Sequence, residues 1–272
     1  MIFLSRALAP PLDGYIAAVW YCEMDATPVA LERVLPAGTA GLIVNLKEDR
    51  TRTYDADAGY RCEELASGLV LCGTASRFAV IDTNEQEQVA GVVFRPGGAA
   101  AFFRMPAQET ADSHVPLDLI WGRRARSLRE RLLEAEVAGA RLDVLERALK
   151  EMAAPGLMDG AIGYALEEFG RRPETAGMSG RRFIERFRTA AGMTPKRYCR
   201  LLRFRRAVGQ VKLGRRVDWT MVAMESGYYD QSHFIRDFRE FAGIAPREYE
   251  AGRGEFQNHV KFVQSGGGVG VA

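Results

Sequence analysis

The sequence predicts an α+β chain: a β-rich amino-terminal domain, barrel or sandwich, then an all-α carboxy-terminal domain built on two helix-turn-helix units. Three observations predict it. Short runs of Val, Ile and aromatic residues, punctuated by Gly, Asp and Pro, occupy the chain up to about Arg95, the pattern of several short strands. In the other half a nine-residue pattern occurs twice, 51 residues apart, which marks two copies of one supersecondary unit. Charge is partitioned as well. Residues 171–216 carry 15 Lys and Arg against 2 acidic residues, while residues 217–272 carry 5 against 8. The 272-residue chain has a net charge of only +2, so residues 1–170 are left at −8. Two domains are the ordinary expectation at this length.

In chain order, strands are expected at residues 15–21, 40–46, 68–72 and 88–94. At the end of the last, Arg95-Pro96-Gly97-Gly98 admits two readings. Pro96 suits the first position of a helix, and open amides there beside a guanidinium would make an anion or effector site from Arg95, Gly97 and Gly98. The reading the sequence favours is a tight strand-to-helix connection packed against the sheet. From Gly97 onward the pattern turns helical, and residues 126–152 read as two helices joining the halves. The expected division is 1–124 for a sensing or dimerising domain and 125–154 for a helical linker. Residues 155–251 then form the all-α domain, and 252–272 a flexible tail or one short edge strand.

The repeat reads Phe187-Arg188-Thr189-Ala190-Ala191-Gly192-Met193-Thr194-Pro195 and then Phe238-Arg239-Glu240-Phe241-Ala242-Gly243-Ile244-Ala245-Pro246. Phe183 and Phe234 precede the two copies at equal distance, as do the cap residues Ser179 and Asp230. Each copy spells a polar cap, an amphipathic helix of about three turns, a glycine stop and a proline opening the next helix. That is helix-turn-helix grammar, with the capped helix as the one that enters a DNA groove. Before the second copy, Asp218 suits the cap of a supporting helix running through Met221, Val222 and Met224 to Ser226, and Gly227 supplies the turn. Phe234 and Phe238, four apart, share the inner face of the following helix. Gln231, Ser232, His233 and Arg236 fall largely on the other side, and Gln and Arg are shaped for bidentate bonds to adenine and guanine edges. Alone, this helix would read equally well as a solvated surface; the coincident basic segment favours a nucleic-acid contact.

The segments Gly177 to Phe187, Gly192 to Tyr198, Leu202 to Ala207, and above all Gly227 to Phe238 followed by Gly243-Ile244-Ala245-Pro246, resemble the DNA-binding domain of AraC/XylS-type transcription regulators. The resemblance implies seven helices and two helix-turn-helix units joined by a helix over about 195–213. It also implies docking in successive major grooves. The family's base contacts fall here on Arg181, Arg182, Ile184 and Glu185 in the first unit and on Gln231, Ser232, His233 and Arg236 in the second. More loosely, Leu35 to Gly38, Val93 to Ala100 and Val115 to Trp121 look like the cupin-like amino-terminal domain of some members. The first unit departs from the pattern twice. Pro173 leaves only Glu174, Thr175 and Ala176 before the turn Gly177, and proline is not tolerated inside a helix, so the first supporting helix is expected to be truncated near 173–177. Glu185 puts a carboxylate in a groove-facing position, where it must meet cytosine N4 or pair with Arg181 or Arg182. The expectation is an asymmetric reader: the second unit discriminates bases, and the first binds mainly phosphates. Arg186, Arg188, Lys196, Arg197, Arg200 and Arg203, with Arg205 and Arg206, are the candidate phosphate ligands.

No bond chemistry is expected. Three His in the whole chain, with only His114 in the amino-terminal domain, do not make a cupin metal centre, which gathers several His and a carboxylate. Cys22, Cys62, Cys72 and Cys199 show no close pairing, against a zinc site; Cys22, Cys62 and Cys72, in or near strands, read as buried thiols, with a redox sensor using two of them as the lesser alternative. Neither a nucleophile motif nor a nucleotide fingerprint occurs. The sequence thus points to a non-enzymatic, cofactor-free, cytoplasmic protein with no membrane span, and to a sequence-specific regulator of transcription, by family usage an activator. Its expected partners are double-stranded DNA and, through the amino-terminal domain, a small-molecule effector or a second copy of the chain. RNA polymerase joins them if the output is activation. The alternative is a small-molecule-binding protein whose basic domain has lost sequence reading.

Overall fold

The computed structural model describes residues 1–24, 31–55, 59–154, 160–173, 180–254 and 256–262. The amino-terminal half contains β1 (Ile2–Arg6), β2 (Ile16–Glu23), β3 (Leu31–Val34), β4 (Gly41–Asn45), β5 (Thr51–Asp55), β6 (Arg61–Leu65), β7 (Leu69–Cys72), β8 (Ala79–Asp82) and β9 (Gln88–Phe94). After a short helix α1 (Ala100–Phe103) comes β10 (His114–Pro116). The four expected strands are β2, β4, β7 and β9. They form the middle of a six-stranded antiparallel sheet ordered β1-β2-β9-β4-β7-β10. Val70, Leu71, Val89, Ala90 and Val92 are all buried, and strands covered on both faces read as continuous apolar runs. The strands that escaped sequence reading are short or charged, such as Leu31-Glu32-Arg33-Val34 and Arg61-Cys62-Glu63-Glu64-Leu65. They build the two edges of the six-stranded sheet, β1 and β10, a two-stranded ribbon, β5-β6, and the two amino-terminal strands of a second sheet, β3 and β8.

Three helices follow: α2 (Asp118–Trp121), α3 (Arg123–Glu134) and α4 (Ala138–Met152). Two helices were expected over 125–154 as a linker; α3 and α4 fill that span and pack on the amino-terminal sheet. Leu128, Leu132, Leu142, Leu145 and Leu149 share one buried cluster with Val19, Tyr21, Leu42 and Val44. Spaced every third or fourth residue, they give each helix one apolar stripe that must cover the sheet. Arg141 is buried with them, its guanidinium 4.6 Å over the Tyr21 ring and its Nε donating to Ala135 O at 2.9 Å.

The carboxy-terminal half contains α5 (Gly160–Arg171), α6 (Arg181–Ala191), α7 (Pro195–Gln210), α8 (Trp219–Glu225), α9 (Gln231–Ala242) and α10 (Pro246–Gly252). Residues 174–179, where the truncated supporting helix, the Gly177 turn and the Ser179 cap were expected, lie outside the described residues. A second core holds Phe187, Phe204, Phe234, Phe238, Phe241 and Tyr249, each 1% exposed or less. Burial of each such side chain stabilises the fold by roughly 1.5–3 kcal/mol.

The two halves are sewn together. Leu35 of the loop after β3 enters the second core. Past α10 the chain returns as β11 (His259–Lys261), which pairs antiparallel with β3 to give a sheet ordered β11-β3-β8. His259 Nδ1 lies 2.8 Å from Glu32 Oε2. Within the expected tail, residues 259–261 form an edge strand, and residues 255 and 263–272 lie outside the described residues. Arg33, buried between the halves, has its guanidinium 4.9 Å from both the Phe78 and the Phe262 ring.

Candidate nucleic-acid interface

Helices α6 and α9 are the two repeat helices; α6 starts after Gly180 without a side-chain cap, and α9 carries the polar cap that the repeat spells. Asp230 caps α9 by accepting the His233 N–H at 2.7 Å, and Asp218 caps α8 by accepting from Thr220 and Met221 at 3.0 and 3.2 Å. These side chains satisfy amides that a helix start leaves without partners. Gly192 and Gly243 close α6 and α9 at φ +77° and +67°, left-handed conformations that favour glycine. Inside, Phe187 packs on Phe169 and Tyr198 with ring centroids 5.7 and 5.6 Å apart. Phe234 and Phe238 pack on Trp219 at 5.8 and 5.6 Å.

The outward faces differ in charge. On α6, Arg181, Arg182, Ile184, Glu185, Arg186 and Arg188 are all exposed. Glu185 pairs with Arg181 one turn away at 3.3 Å, so the carboxylate that would repel phosphate is neutralised within its own helix. On α9, Gln231, Ser232, Arg236 and Arg239 are exposed. His233 keeps a side chain 36% exposed. Its ring meets the Tyr228 ring edge-on at 5.4 Å, and its Nε2 faces inward, 3.6 Å from Asp237 Oδ1. Burial pushes the Tyr228 hydroxyl well above its ordinary value, with the Asp237 carboxylate adding to the shift.

Most linking-helix arginines point into the protein. Arg197 donates through Nε and Nη2 to Ser76 Oγ and O, both at 3.0 Å, and through Nη1 to Glu240 at 2.7 Å. Arg200 holds Asp237 and Glu240. The Arg203 guanidinium stands 5.5 Å over the Tyr228 ring. Arg205 donates to Ala37 O at 2.5 Å, and Arg206 to Arg171 O at 2.6 Å. Arg197, Arg200 and Arg203, singled out as phosphate ligands, thus serve internal joints in this arrangement, whereas Lys196 is exposed. The signal that could have revealed this is Asp237 itself. It is an acid on the inward stripe between Phe234 and Phe238, and a buried carboxylate requires a cation. Lys212, Arg215 and Arg216, in the loop from α7 to α8, are exposed and flank the supporting helix of the second unit; composition counted them without giving them a role.

The Arg95 segment forms the tight connection. Arg95 Nε donates to Asp13 O at 2.6 Å, its N–H to Tyr15 O at 2.8 Å, and the Gly98 N–H turns back to Arg95 O at 2.8 Å. A side chain at Gly98 would overlap the Tyr15 backbone. Of the thiols, Cys22 and Cys199 are buried and Cys62 is exposed, contrary to the expectation that it would be buried; burial pushes Cys72 up to about 12. Burial also lowers His114 from its ordinary value. Among the described residues, no helix is long and apolar enough to cross a membrane.

Residues 174–252 match a family model described as a helix-turn-helix domain. Residues 8–116 match one described as a domain of unknown function, DUF6597. No curated protein matches the chain. Among solved structures, an apo variant of ToxT from Vibrio cholerae strain SCE256 is similar, at 11% identity and a TM-score of 0.44, over 86% of this chain and 96% of that one. A second Vibrio cholerae ToxT structure gives 12% and 0.41 over 92% and 98%. Wild-type ToxT of strain SCE256 bound to an unsaturated fatty acid gives 11% and 0.39 over 91% and 94%.

Proposed function

We propose that the chain, whose residues 174–252 match a helix-turn-helix domain, is a transcription regulator of AraC type that reads a specific double-stranded DNA sequence with α6 and α9. The observation that carries this is the shared construction of the two helices. Each packs phenylalanine inward, Phe187 with the half-buried Phe183 on α6 and Phe234 with Phe238 on α9, and each has a left-handed glycine stop and an outward face bearing Arg.

The roles follow from exposure. Gln231, Ser232 and Arg236 on α9, with Arg181 and Arg182 on α6, meet base edges. Gln and Arg supply bidentate donor sets that distinguish adenine and guanine. Arg186, Arg188 and Lys196, with Lys212, Arg215 and Arg216, meet phosphates and release counterions, which makes binding fall steeply with salt. Arg197, Arg200 and Arg203 support the reader from within. His233 positions the start of α9 against Tyr228 rather than reading a base. The amino-terminal domain modulates the reader through an effector or through self-association. The test is Arg236→Ala titrated on a preferred duplex and on a scrambled one. The expected loss is about 1–3 kcal/mol on the preferred site, relaxed at one base pair. Equal loss on both duplexes overturns the assignment of Arg236 to base reading.

A further inference from the structure

The two stop glycines of the repeat, Gly192 and Gly243, occupy equivalent places 51 residues apart, and both abut one short stretch of the amino-terminal domain, residues 73–78. A side chain at Gly192 would lie 2.8 Å from Thr74 Cβ and 3.3 Å from Ala107 O; one at Gly243 would lie 2.2 Å from the Phe78 ring. Between these ends, Ser76 receives Arg197 of α7, and the Phe78 N–H donates to Phe241 O at 3.0 Å. A third point closes the set: Leu201 of α7 packs so tightly on Gly38 that a side chain there would come within 2.9 Å, and the Gly38 N–H donates to Ala75 O at 3.1 Å.

The stretch is itself stiff. Asp112, held at φ +56°, accepts the Ser76 N–H at 2.6 Å, the Ser76 hydroxyl at 2.6 Å and the Arg77 N–H at 3.2 Å. The Gly73 N–H donates to Ser113 O at 2.9 Å, and no side chain fits at Gly73 because Thr110 O would be 1.6 Å away. Helix α6 packs on α5 and α7, and α9 on α7, α8 and α10, so among the described helices α7 is the one that both share. A rigid brace touching the far ends of both adds a second link between them.

We infer that residues 73–78, chiefly Thr74, Ser76 and Phe78, position the two reading helices relative to one another, and so set the separation of half-sites that the protein accepts. The DNA consequence rests on the function proposed above; the brace itself does not. Sequence preference would then depend on a domain that touches no DNA, because an insertion between half-sites is tolerated only if the reading helices can shift.

The experiment has two arms on the full chain. In the first, spin labels at the equivalent exposed positions, Arg188→Cys and Arg239→Cys in a Cys62→Ser background, report the inter-helix distance without DNA. The parent gives one narrow distribution, and Phe78→Ala makes it about twice as wide. Asp112→Gly does the same; glycine adopts a positive φ freely, so this variant loses only the hydrogen bonds to the brace. Unchanged distributions in both variants overturn the inference. In the second arm, one base pair is inserted between the half-sites of a preferred duplex. The parent loses about tenfold or more in affinity, and both variants about threefold or less. Equal penalties in parent and variants also overturn it. If the parent prefers no sequence, the proposed function fails, and the distance arm still decides the brace.

Discussion

Arg200 and Asp237 fasten the linking helix to the second reading helix, Nη2 to Oδ1 at 2.7 Å and Nε to the same oxygen at 3.1 Å. The Asp237 side chain is 1% exposed and Arg200 22%. Removing one partner of such a pair leaves a buried charge without compensation, which costs about 3–5 kcal/mol, whereas replacing both with apolar groups is often close to neutral. Arg200→Ala should therefore lower unfolding free energy in urea by about 3 kcal/mol, with Arg200→Met/Asp237→Leu recovering most of it. A single-variant loss below about 0.5 kcal/mol would mean that the pair is surface-like.

The brace makes Gly243 a strict position. Gly243→Ala must hold alanine at φ +67° and place Cβ against Phe78, whereas Gly214→Ala at φ +72° meets open space. The left-handed conformation costs each about 1–2 kcal/mol, and overpacking adds about 1–3 kcal/mol at Gly243 alone. A double-mutant cycle with Phe78→Ala should show the extra loss disappearing. Additive losses would place the Phe78 ring elsewhere.

Stability should respond to pH through Glu85. Burial pushes its carboxyl up to about 7 from an ordinary 4.5, against the bond from the Arg52 N–H at 2.6 Å. An acid raised on folding binds its proton more tightly in the folded state. Its contribution is fully present below about 4.5 and is lost as pH rises through about 7. The urea midpoint of the parent should therefore fall between pH 5 and pH 8 by more than that of Glu85→Gln. Parallel pH profiles would contradict the assignment.

Hydrogen-bond partners sort the arginines into two experimental classes. Arg216 is exposed in the α7–α8 loop, while Arg205 donates to Ala37 O across the domain joint. Arg216→Ala should reduce the slope of log affinity against log salt by about 1 and leave the preferred sequence unchanged. Arg205→Ala should leave the slope alone and lower thermal stability. The reverse pattern would return the linking helix to the phosphate surface.

The sequence announced what is periodic and local. The four central strands announced themselves as continuous apolar runs, and Asp218 and Asp230 as caps, because those signals lie within a few residues of the structure they specify. The same is true of the Glu185–Arg181 pair, one turn apart. Long-range facts were not legible. Nothing near Val260 tells it to pair with Arg33, and nothing near Ser76 tells it to receive Arg197. The arginines of α7 look alike in sequence, and only the fold reveals which of them meet a carboxylate or a carbonyl. The helices read as a linker show the same limit: an apolar stripe says that a face is covered, but not by which domain.

The measurement closest to the central claim is a selection from random duplex DNA at near-physiological salt, followed by footprinting of the enriched sequence. One enriched motif is expected, protected across two successive major grooves and lost when Gln231 and Arg236 are both replaced by alanine. Salt-sensitive retention with no enriched motif would contradict it, leaving a basic domain that binds phosphate without reading sequence.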